Sequence, residues 1–171
     1  ERRIAKPVIA AVTGAAVAGG FEIALACDLV VAEEGVPFGL PEIRRGMVAF
    51  TGGVQRLAQT LPRAAALEII LTGGFVPAER LLALGVINRV VPRGQALPAA
   101  LDLADTVLAN SWSAIAEARA LHDAAADEPL AAAIARGHAR RAALLDSTDS
   151  REGIAAYVQG RAARFEQDTA P

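Results

Sequence analysis

The sequence predicts an α/β fold whose first part alternates strands with helices and whose last part is entirely helical. Before residue 96, β-branched apolar segments run directly into Gly-rich turns and short helical segments. After residue 97, Ala-rich segments of helical length follow one another, separated by Ser, Thr, Asn and Pro residues typical of helix caps and turns. We therefore predict an α/β region over residues 1–96 and a helical region over residues 97–171.

The first strands and helices are predicted from changes of pattern along the chain. Residues 7–13 are apolar and β-branched, which predicts a buried strand, and residues 19–27 predict a short helix after a Gly/Ala turn. Residues 28–32 predict a second strand, because Leu-Val-Val follows the helix at once. Pro41 and the acid behind it can open a helical turn. Residues 46–53 show no period and are predicted to be a loop.

The later elements are delimited by Gly and Pro, which end helices and strands. In the α/β region the pattern predicts helices at residues 53–61, 63–71 and 77–84 and a strand at residues 86–91. In the helical region it predicts helices at residues 97–109, 113–126, 130–145 and 149–165.

Composition excludes several classes of function. A chain of 171 residues with 53% hydrophobic content can bury a substantial core. The net charge of −2, with aromatics at 4% and no basic stripe, argues against nucleic-acid binding. Cys27 is the single cysteine, so no internal disulfide is possible. Charged residues such as Glu22 and Asp28 interrupt the apolar runs well short of the roughly 20 residues that a membrane span requires.

The turn before the first helix is the strongest candidate for chemistry. Gly19 and Gly20 carry no Cβ, so a ligand can approach the backbone closely, and the N–H groups opening a helix suit an anion or a developing oxyanion. Glu22 stands one turn away, and Glu42 follows twenty residues later. Each feature also has a structural interpretation, since small residues pack well at helix starts and an acid there is stabilised by about 0.3–1 kcal/mol through the helix dipole.

Taken together, the motifs resemble the enoyl-CoA hydratase/isomerase (crotonase) family, and the resemblance covers nearly all 171 residues. It implies a ClpP/crotonase-like spiral of ββα units followed by an all-α trimerisation region at residues 97–171. It also implies that this chain is the C-terminal portion of a longer protein, with further strands upstream of residue 1. The motifs are Gly19-Gly20-x-Glu22, Cys27-Asp28, Phe38-Gly39-x-Pro41-Glu42, Gly52-Gly53-x-x-Arg56-Leu57, Leu71-Thr72-Gly73, Ala83-Leu84-Gly85-Val86-Ile87-Asn88 and Ser150-Arg151-Glu152-Gly153-Ile154.

The resemblance implies a hydro-lyase that adds water across a trans-2-enoyl-CoA thioester. Gly19 would supply one backbone N–H of the oxyanion hole, and the second donor would lie upstream of residue 1. Glu42 would act as the main acid/base toward C2 and Glu22 would activate the water, with the reverse assignment left open. Addition of water needs such a pair, because one group must activate the water and another must deliver a proton.

The resemblance also implies which residues contact the substrate, which cofactors are needed and how the protein assembles. Ala18, Gly20, Pro41 and Phe50 would contact the substrate, although Phe50 replaces a small residue typical of the family. A further departure is Gly160, where family members often carry a lysine. No metal and no redox cofactor is expected, since coenzyme A enters as part of the substrate. The expected assembly is a homotrimer or a dimer of trimers, and the expected location is the cytoplasm.

Alternative functions remain open at this point. An enoyl-CoA isomerase, another crotonase-type acyl-CoA enzyme or a non-catalytic crotonase-like subunit would show most of the same motifs. A more remote alternative is an NAD(P)-dependent short-chain dehydrogenase, because residues 12–20 resemble its Gly-rich turn and Glu33 or Glu34 follows at a suitable distance. Against it, Ala18 replaces the middle glycine, and Tyr157 lacks the lysine four residues on that such enzymes use.

Overall fold

The structure, a computed structural model, describes residues 4–165. The chain divides into two compact units, Glu1–Leu103 and Ala104–Pro171, and the division falls inside one helix, α5 (Ala96–Leu108). The described part of the first unit contains two sheets and the helices around them. The described part of the second unit is helical.

The first unit begins with the predicted sequence of strand, turn, helix and strand, and all of its elements lie within residues 4–103. The strands are β1 (Ile9–Val12), β2 (Ala16–Val17), β3 (Leu29–Glu33), β4 (Pro37–Gly39), β5 (Val76–Pro77) and β6 (Arg89–Val91). The helices are α1 (Gly19–Ala26), a 3₁₀ helix at Pro41–Arg45, α2 (Gly53–Thr60), α3 (Arg63–Thr72), α4 (Ala78–Ala83) and the first part of α5.

The first four strands alternate between two three-stranded sheets, and β5 and β6 then complete the second and the first sheet. The first sheet has the order β1-β3-β6 and is parallel throughout. The second has the order β2-β4-β5, with β2 and β4 parallel and β5 antiparallel to β4. The pairs β1-β2 and β3-β4 therefore each contribute one strand to each sheet before the chain enters a helix. This confirms the predicted spiral of ββα units.

The second sheet is the main feature that the sequence pattern did not predict. Its strands are only two or three residues long, and they contain residues typical of turns, such as Pro37 and Gly39 in β4. The predicted helix at residues 77–84 begins one residue later, because Pro77 belongs to β5. Such short strands are defined by their pairing partners, so local periodicity carries no signal for them.

Asn88 explains why the predicted strand at residues 86–91 is shortened to Arg89–Val91. Its side-chain oxygen accepts the Val30 N–H at 2.7 Å, and its own N–H donates to the Val30 carbonyl at 2.9 Å. Val86 and Ile87 both donate to the Leu81 carbonyl, which closes the turn after α4. Residues 86–88 therefore form a turn that aligns β6 beside β3.

The core of the first unit lies between the sheets and their helices. Phe21 on α1 and Phe38 on β4 are both fully buried and pack edge to face, with ring centroids 5.3 Å apart. Leu57 and Leu81 bury α2 and α4 in the same apolar cluster. The aromatic pair matters for the site, because Phe21 immediately precedes Glu22 and Phe38 lies four residues before Glu42.

The backbone approaches itself closely at Gly39. A Cβ added there would lie 2.8 Å from the Gly74 carbonyl oxygen and 3.0 Å from the Phe75 ring. The first of these contacts is with backbone, which cannot move aside easily. Glycine is therefore required in β4 by packing, at the strand that leads to Glu42.

The described part of the second unit contains the end of α5, then α6 (Trp112–Ala125), α7 (Leu130–Leu145) and α8 (Thr148–Val158). Serine caps two of these helices, as predicted from the turns between them: Ser111 accepts the Ala114 N–H, and Ser147 accepts the Ser150 N–H. Ser111 also donates to the Asp149 carboxylate at 2.5 Å, which ties the start of α6 to the first turn of α8.

The predicted helix at residues 149–165 is wrong in its second half. Helix α8 ends at Val158, and Gly160 adopts a φ of 65°, in the left-handed region that glycine favours at helix ends. Beyond it, Arg161 turns back to make a bidentate ion pair with Glu152. No helix within residues 4–165 is both long and apolar enough to cross a membrane.

Candidate active site

Glu22 lies in the first turn of α1, which begins two residues after β2. Its side chain is only 5% exposed, and its Oε1 accepts the backbone N–H of Gly53 at 2.9 Å. Gly53 is the first residue of α2, so the hydrogen bond joins the starts of two helices that are far apart in sequence. A buried carboxylate requires such a donor, and this one fixes the orientation of the Glu22 side chain.

Glu42 lies in the 3₁₀ helix that begins two residues after β4. Its side chain is half-buried, and its backbone carbonyl accepts the Met47 N–H at 3.1 Å. Its Oε2 is fully buried and has no hydrogen-bond partner within residues 4–165. A buried carboxylate oxygen without a partner is costly, so this atom is available to bind a ligand.

The pairing of β2 with β4 brings the two acids to one edge of the second sheet. Val17 lies opposite Gly39 in the parallel register, and the Ala18 N–H donates to the Gly39 carbonyl at 2.9 Å. Both strands therefore end together, and each is followed by the short helix that carries one acid. The carboxyl ends of parallel strands are a common location for ligand sites in α/β proteins.

The turn at Gly19 is open and strained. A Cβ added at Gly19 or Gly20 would meet no atom of the described residues within 4 Å, so neither glycine is required by the packing of this part of the chain. Neither glycine has a positive φ, whereas Ala18 does, with a φ of 55° and a ψ of −126°. Such a backbone costs on the order of 1–3 kcal/mol for a residue with a Cβ. These features favour close approach of a ligand over the packing interpretation.

An open cleft of about 640 Å³ lies beside this turn. Two of the predicted substrate-binding residues, Ala18 and Pro41, line it. The other two, Gly20 and Phe50, are absent from its lining, and Phe50 is 84% exposed. The full lining of the cleft is Val17, Ala18, Pro41, Arg44, Arg45 and Phe75.

Three residues of this region were not predicted from the sequence as part of the site. Gly53 appeared only as part of the Gly-Gly-x-x-Arg-Leu motif, although its N–H is the hydrogen-bond partner of Glu22. Arg44 and Arg45 follow Glu42 directly and both line the cleft. Their position beside a candidate acid was the available signal.

Other polar groups singled out in the sequence have structural roles. Glu33 is buried at the end of β3 and accepts the Gly94 N–H at 2.8 Å, which accounts for its carboxylate. The Cys27 thiol donates to the Ile23 carbonyl at 3.3 Å, and burial, together with the neighbouring Asp28 charge, raises the pKa of this thiol. Both groups lie outside the candidate site.

Comparison with known proteins identifies the family to which the chain is similar. The sequence matches the enoyl-CoA hydratase/isomerase family over residues 2–168. It is 38% identical to the carnitinyl-CoA dehydratase of Salmonella typhi over 161 residues, which are 92% of this chain and 62% of that protein. It is 37% identical to the mevalonyl-coenzyme A hydratase of Aspergillus fumigatus over 166 residues, which are 94% of this chain and 60% of that protein.

Solved structures show the same fold. A crystal structure of an enoyl-CoA hydratase from Mycobacterium tuberculosis matches with a TM-score of 0.92 and 39% identity, covering 97% of this chain and 66% of that one. An enoyl-CoA hydratase from Mycobacterium marinum matches with a TM-score of 0.91 and 41% identity, covering 96% of this chain and 66% of that one.

The class of protein is defined by the spiral of ββα units, the two acids at one strand edge and the family match over residues 2–168. The chain belongs to the enoyl-CoA hydratase/isomerase family and has the crotonase fold. It spans about three-fifths of the length of the curated relatives that it matches. The family match overturns the dehydrogenase interpretation, and the structure agrees, because residues 16–17 of the supposed nucleotide-binding turn form β2 of the second sheet.

Proposed function

We propose that the protein is a 2-enoyl-CoA hydratase that adds water across a trans-2-enoyl-CoA thioester. Of the two curated relatives described above, one is named a hydratase and the other a dehydratase of acyl-CoA compounds, which are the two directions of the same reaction type. The family also includes isomerases, so the choice of hydration depends on the two acids of the candidate site.

The unpartnered Oε2 of Glu42 is the observation that carries this proposal. A buried carboxylate oxygen with no donor among the described residues is suited to bind a water molecule or to exchange a proton with a substrate carbon. Glu22 lies at the same strand edge, where its Oε1 accepts the Gly53 N–H. Its Oε2 does not take part in that hydrogen bond. An acid with a fixed orientation and an acid with an unsatisfied oxygen form the pair that hydration requires.

The reaction then proceeds by addition of water at C3 and of a proton at C2. In our assignment Glu22 orients and deprotonates the water, and Glu42 exchanges the proton with C2. Negative charge accumulates on the thioester oxygen between these events, and the N–H of Gly19 stabilises it, because that N–H opens α1 and has no carbonyl partner in the helix.

The proposal includes the wider properties of the enzyme. It needs no metal and no cofactor, since coenzyme A is part of the substrate, and it acts in the cytoplasm. We further propose a trimer or a dimer of trimers in which the second unit makes the subunit contacts. Exposed apolar side chains on the described helices of that unit support this arrangement: Leu130, Ile134, Leu145, Ile154, Tyr157 and Val158.

The test is hydration of a panel of 2-enoyl-CoA thioesters by the full-length protein and its Glu22→Gln and Glu42→Gln variants. Glutamine at position 22 keeps an oxygen that can accept the Gly53 N–H, and glutamine at position 42 has nearly the shape of the glutamate it replaces, so both variants should fold like the wild type. We expect each substitution to lower the hydration rate by about 100- to 10,000-fold, the usual contribution of a positioned acid or base. Hydration that survives either substitution would refute the assigned role of that residue.

An isomerase is the main alternative, because the family includes both activities. The same panel decides between them when it includes 3-enoyl-CoA thioesters. Shift of the double bond in a folded protein, with no addition of water, would replace the hydratase proposal by an isomerase.

A further inference from the structure

The cleft beside the Gly19 turn carries positive charge that the proposed reaction does not use. Arg44 and Arg45 both line it, together with the apolar side chains of Val17, Pro41 and Phe75. The Arg44 Nε donates to the Thr72 carbonyl at 3.2 Å, which anchors the side chain, and its terminal nitrogens make no hydrogen bond among the described residues. Within residues 4–165, neither guanidinium is paired with a carboxylate.

The position of these arginines relative to Glu42 follows from the geometry of the 3₁₀ helix. Residues three apart in such a helix eclipse each other, and one turn rises about 6 Å. Glu42 and Arg45 therefore share one face of the Pro41–Arg45 helix, a single turn apart. Glu42 itself is absent from the cleft lining, but the shared face places a cleft-lining guanidinium one turn from the acid assigned to C2.

We propose that this cleft is a subsite for a carboxylate at the far end of the substrate's acyl group, bound by Arg45 and supported by Arg44. The inference deepens the proposed function, on which it rests, by naming the substrate class as a short enoyl-CoA with a second, terminal carboxylate. Planar guanidinium groups are well matched to carboxylates, with which they form charge-assisted and often bidentate hydrogen bonds.

Distance favours the acyl carboxylate over the phosphates of coenzyme A. The whole pantetheine arm separates those phosphates from the thioester, whereas Arg45 is one helical turn from the residue that acts at C2. The positive charge also disfavours a cationic acyl group such as the one implied by the name carnitinyl-CoA, because two guanidinium groups would repel it. The cleft therefore points to substrates different from those of that relative.

Binding of saturated thioesters tests the subsite without any reaction. Glutaryl-CoA and valeryl-CoA have five-carbon acyl chains that differ by the terminal carboxylate, and neither has a double bond to hydrate. Calorimetric titration of the full-length protein with both compounds should show glutaryl-CoA binding about tenfold more tightly, equivalent to about 1.4 kcal/mol. Failure of the hydratase proposal would leave this comparison interpretable, because it depends on binding alone.

Substitutions of single arginines test which side chain causes the preference for glutaryl-CoA. Arg45→Gln should remove the preference for glutaryl-CoA while leaving valeryl-CoA affinity within about twofold, and Arg45→Lys should retain part of the preference through its charge. Arg44→Gln should weaken it less. Arg93→Gln is the matched control, because Arg93 is an exposed arginine of the same unit outside the cleft lining, and it should change neither affinity.

Two results would overturn the proposal. Equal affinity of the wild type for the two thioesters would show that no carboxylate subsite exists. Equal weakening of both thioesters by Arg45→Gln, in a variant with wild-type circular dichroism, would show that the arginine contacts coenzyme A. Repeating the titration with the pantetheine thioesters, which lack the nucleotide phosphates, should preserve the preference; its disappearance there would likewise refute the acyl subsite.

Discussion

The backbone N–H of Gly53 donates to the Oε1 of Glu22 at 2.9 Å, joining the first residue of α2 to the first turn of α1. This single hydrogen bond satisfies one oxygen of a buried carboxylate and directs the other. It also makes the orientation of a candidate catalytic group depend on Gly53, which directly follows the loop at residues 46–52. The position of Gly53 therefore helps to set the orientation of the Glu22 carboxylate.

Gly53→Ala should lower activity more than it lowers stability. A Cβ at this position would lie 3.0 Å from the Glu22 Cγ and 3.1 Å from both the Glu22 Oε1 and the Ala49 Cβ, so the carboxylate has to shift by a few tenths of an ångström. We expect about 1–2 kcal/mol of destabilisation from crowding and a fall in kcat of about tenfold or more, because small displacements of catalytic groups are costly. Urea denaturation and steady-state kinetics measure the two effects.

Gly14→Ala is the control for this substitution. Gly14 has open space where its Cβ would be and no positive φ, so alanine should leave kcat unchanged. If Gly53→Ala also retained wild-type kcat, the hydrogen bond to Glu22 would have no role in catalysis.

Ala18→Gly should stabilise the protein. Ala18 has a φ of 55°, which glycine adopts without steric cost. Relief of this strain outweighs the entropy that glycine adds to the unfolded chain, and we expect a net gain of about 1 kcal/mol. The measurement is the free energy of unfolding in urea. Ala15→Gly is the control, because Ala15 does not have a positive φ, and it should be destabilised or unchanged. Loss of stability in Ala18→Gly would contradict the strained backbone.

The sequence predicted the elements whose signal is local. The span of α1 follows from a Gly-rich start and the end of its apolar pattern at Cys27, and the structure confirms it to within one residue. Helix α7 was predicted with the bounds Leu130–Leu145 that the structure shows. Continuous helices with clear caps have enough residues for periodicity to specify them.

The parts that were missed depend on contacts between distant residues. β4 contains Pro37 and Gly39 and is a strand only because β2 and β5 pair with it. The shortened end of α8 depends on Gly160 and on the return of Arg161 to Glu152. Such features are set by tertiary structure, which local propensity does not encode.

The candidate site also combines residues with a local sequence signal and residues that depend on distant contacts. Glu22, Glu42 and Gly19 were identified from their motifs, and the structure places them at one strand edge, although their roles stay predictions. The hydrogen-bond donor to Glu22 and the two arginines of the cleft became visible only when the chain was folded. A partner 31 residues away in sequence leaves no local pattern.

Phe50→Ala tests the predicted substrate contact at that position. Because Phe50 is 84% exposed in this chain, removing its ring should change the free energy of unfolding by no more than about 0.5 kcal/mol. If the ring contacts the acyl group, KM for longer enoyl-CoA thioesters should change while KM for the shortest stays the same. Thr51→Ala, at the neighbouring exposed position, serves as the control. An unchanged KM across all chain lengths would remove Phe50 from the substrate-binding set.

Glu152→Gln should remove one component of acid denaturation. The bidentate hydrogen bonds from Arg161, with further help from the Arg164 N–H, lower the pKa of Glu152 to about 2. Because the folded-state pKa lies below the ordinary value of 4.5, the ion pair contributes its full stabilisation above that value and loses it as the pH falls toward 2.

Circular dichroism between pH 6 and pH 2 measures this effect. The Glu152→Gln variant should be less stable than the wild type at neutral pH, and the difference should shrink as the pH approaches 2, since protonated Glu152 no longer attracts Arg161. The pair is exposed to solvent, so the difference should also diminish in high salt. Glu34→Gln is the control, because the Glu34 side chain is exposed and makes no ion pair within the described residues. A pH-independent difference between Glu152→Gln and the wild type would show that the Glu152 side chain stabilises the end of α8 by packing and not by charge.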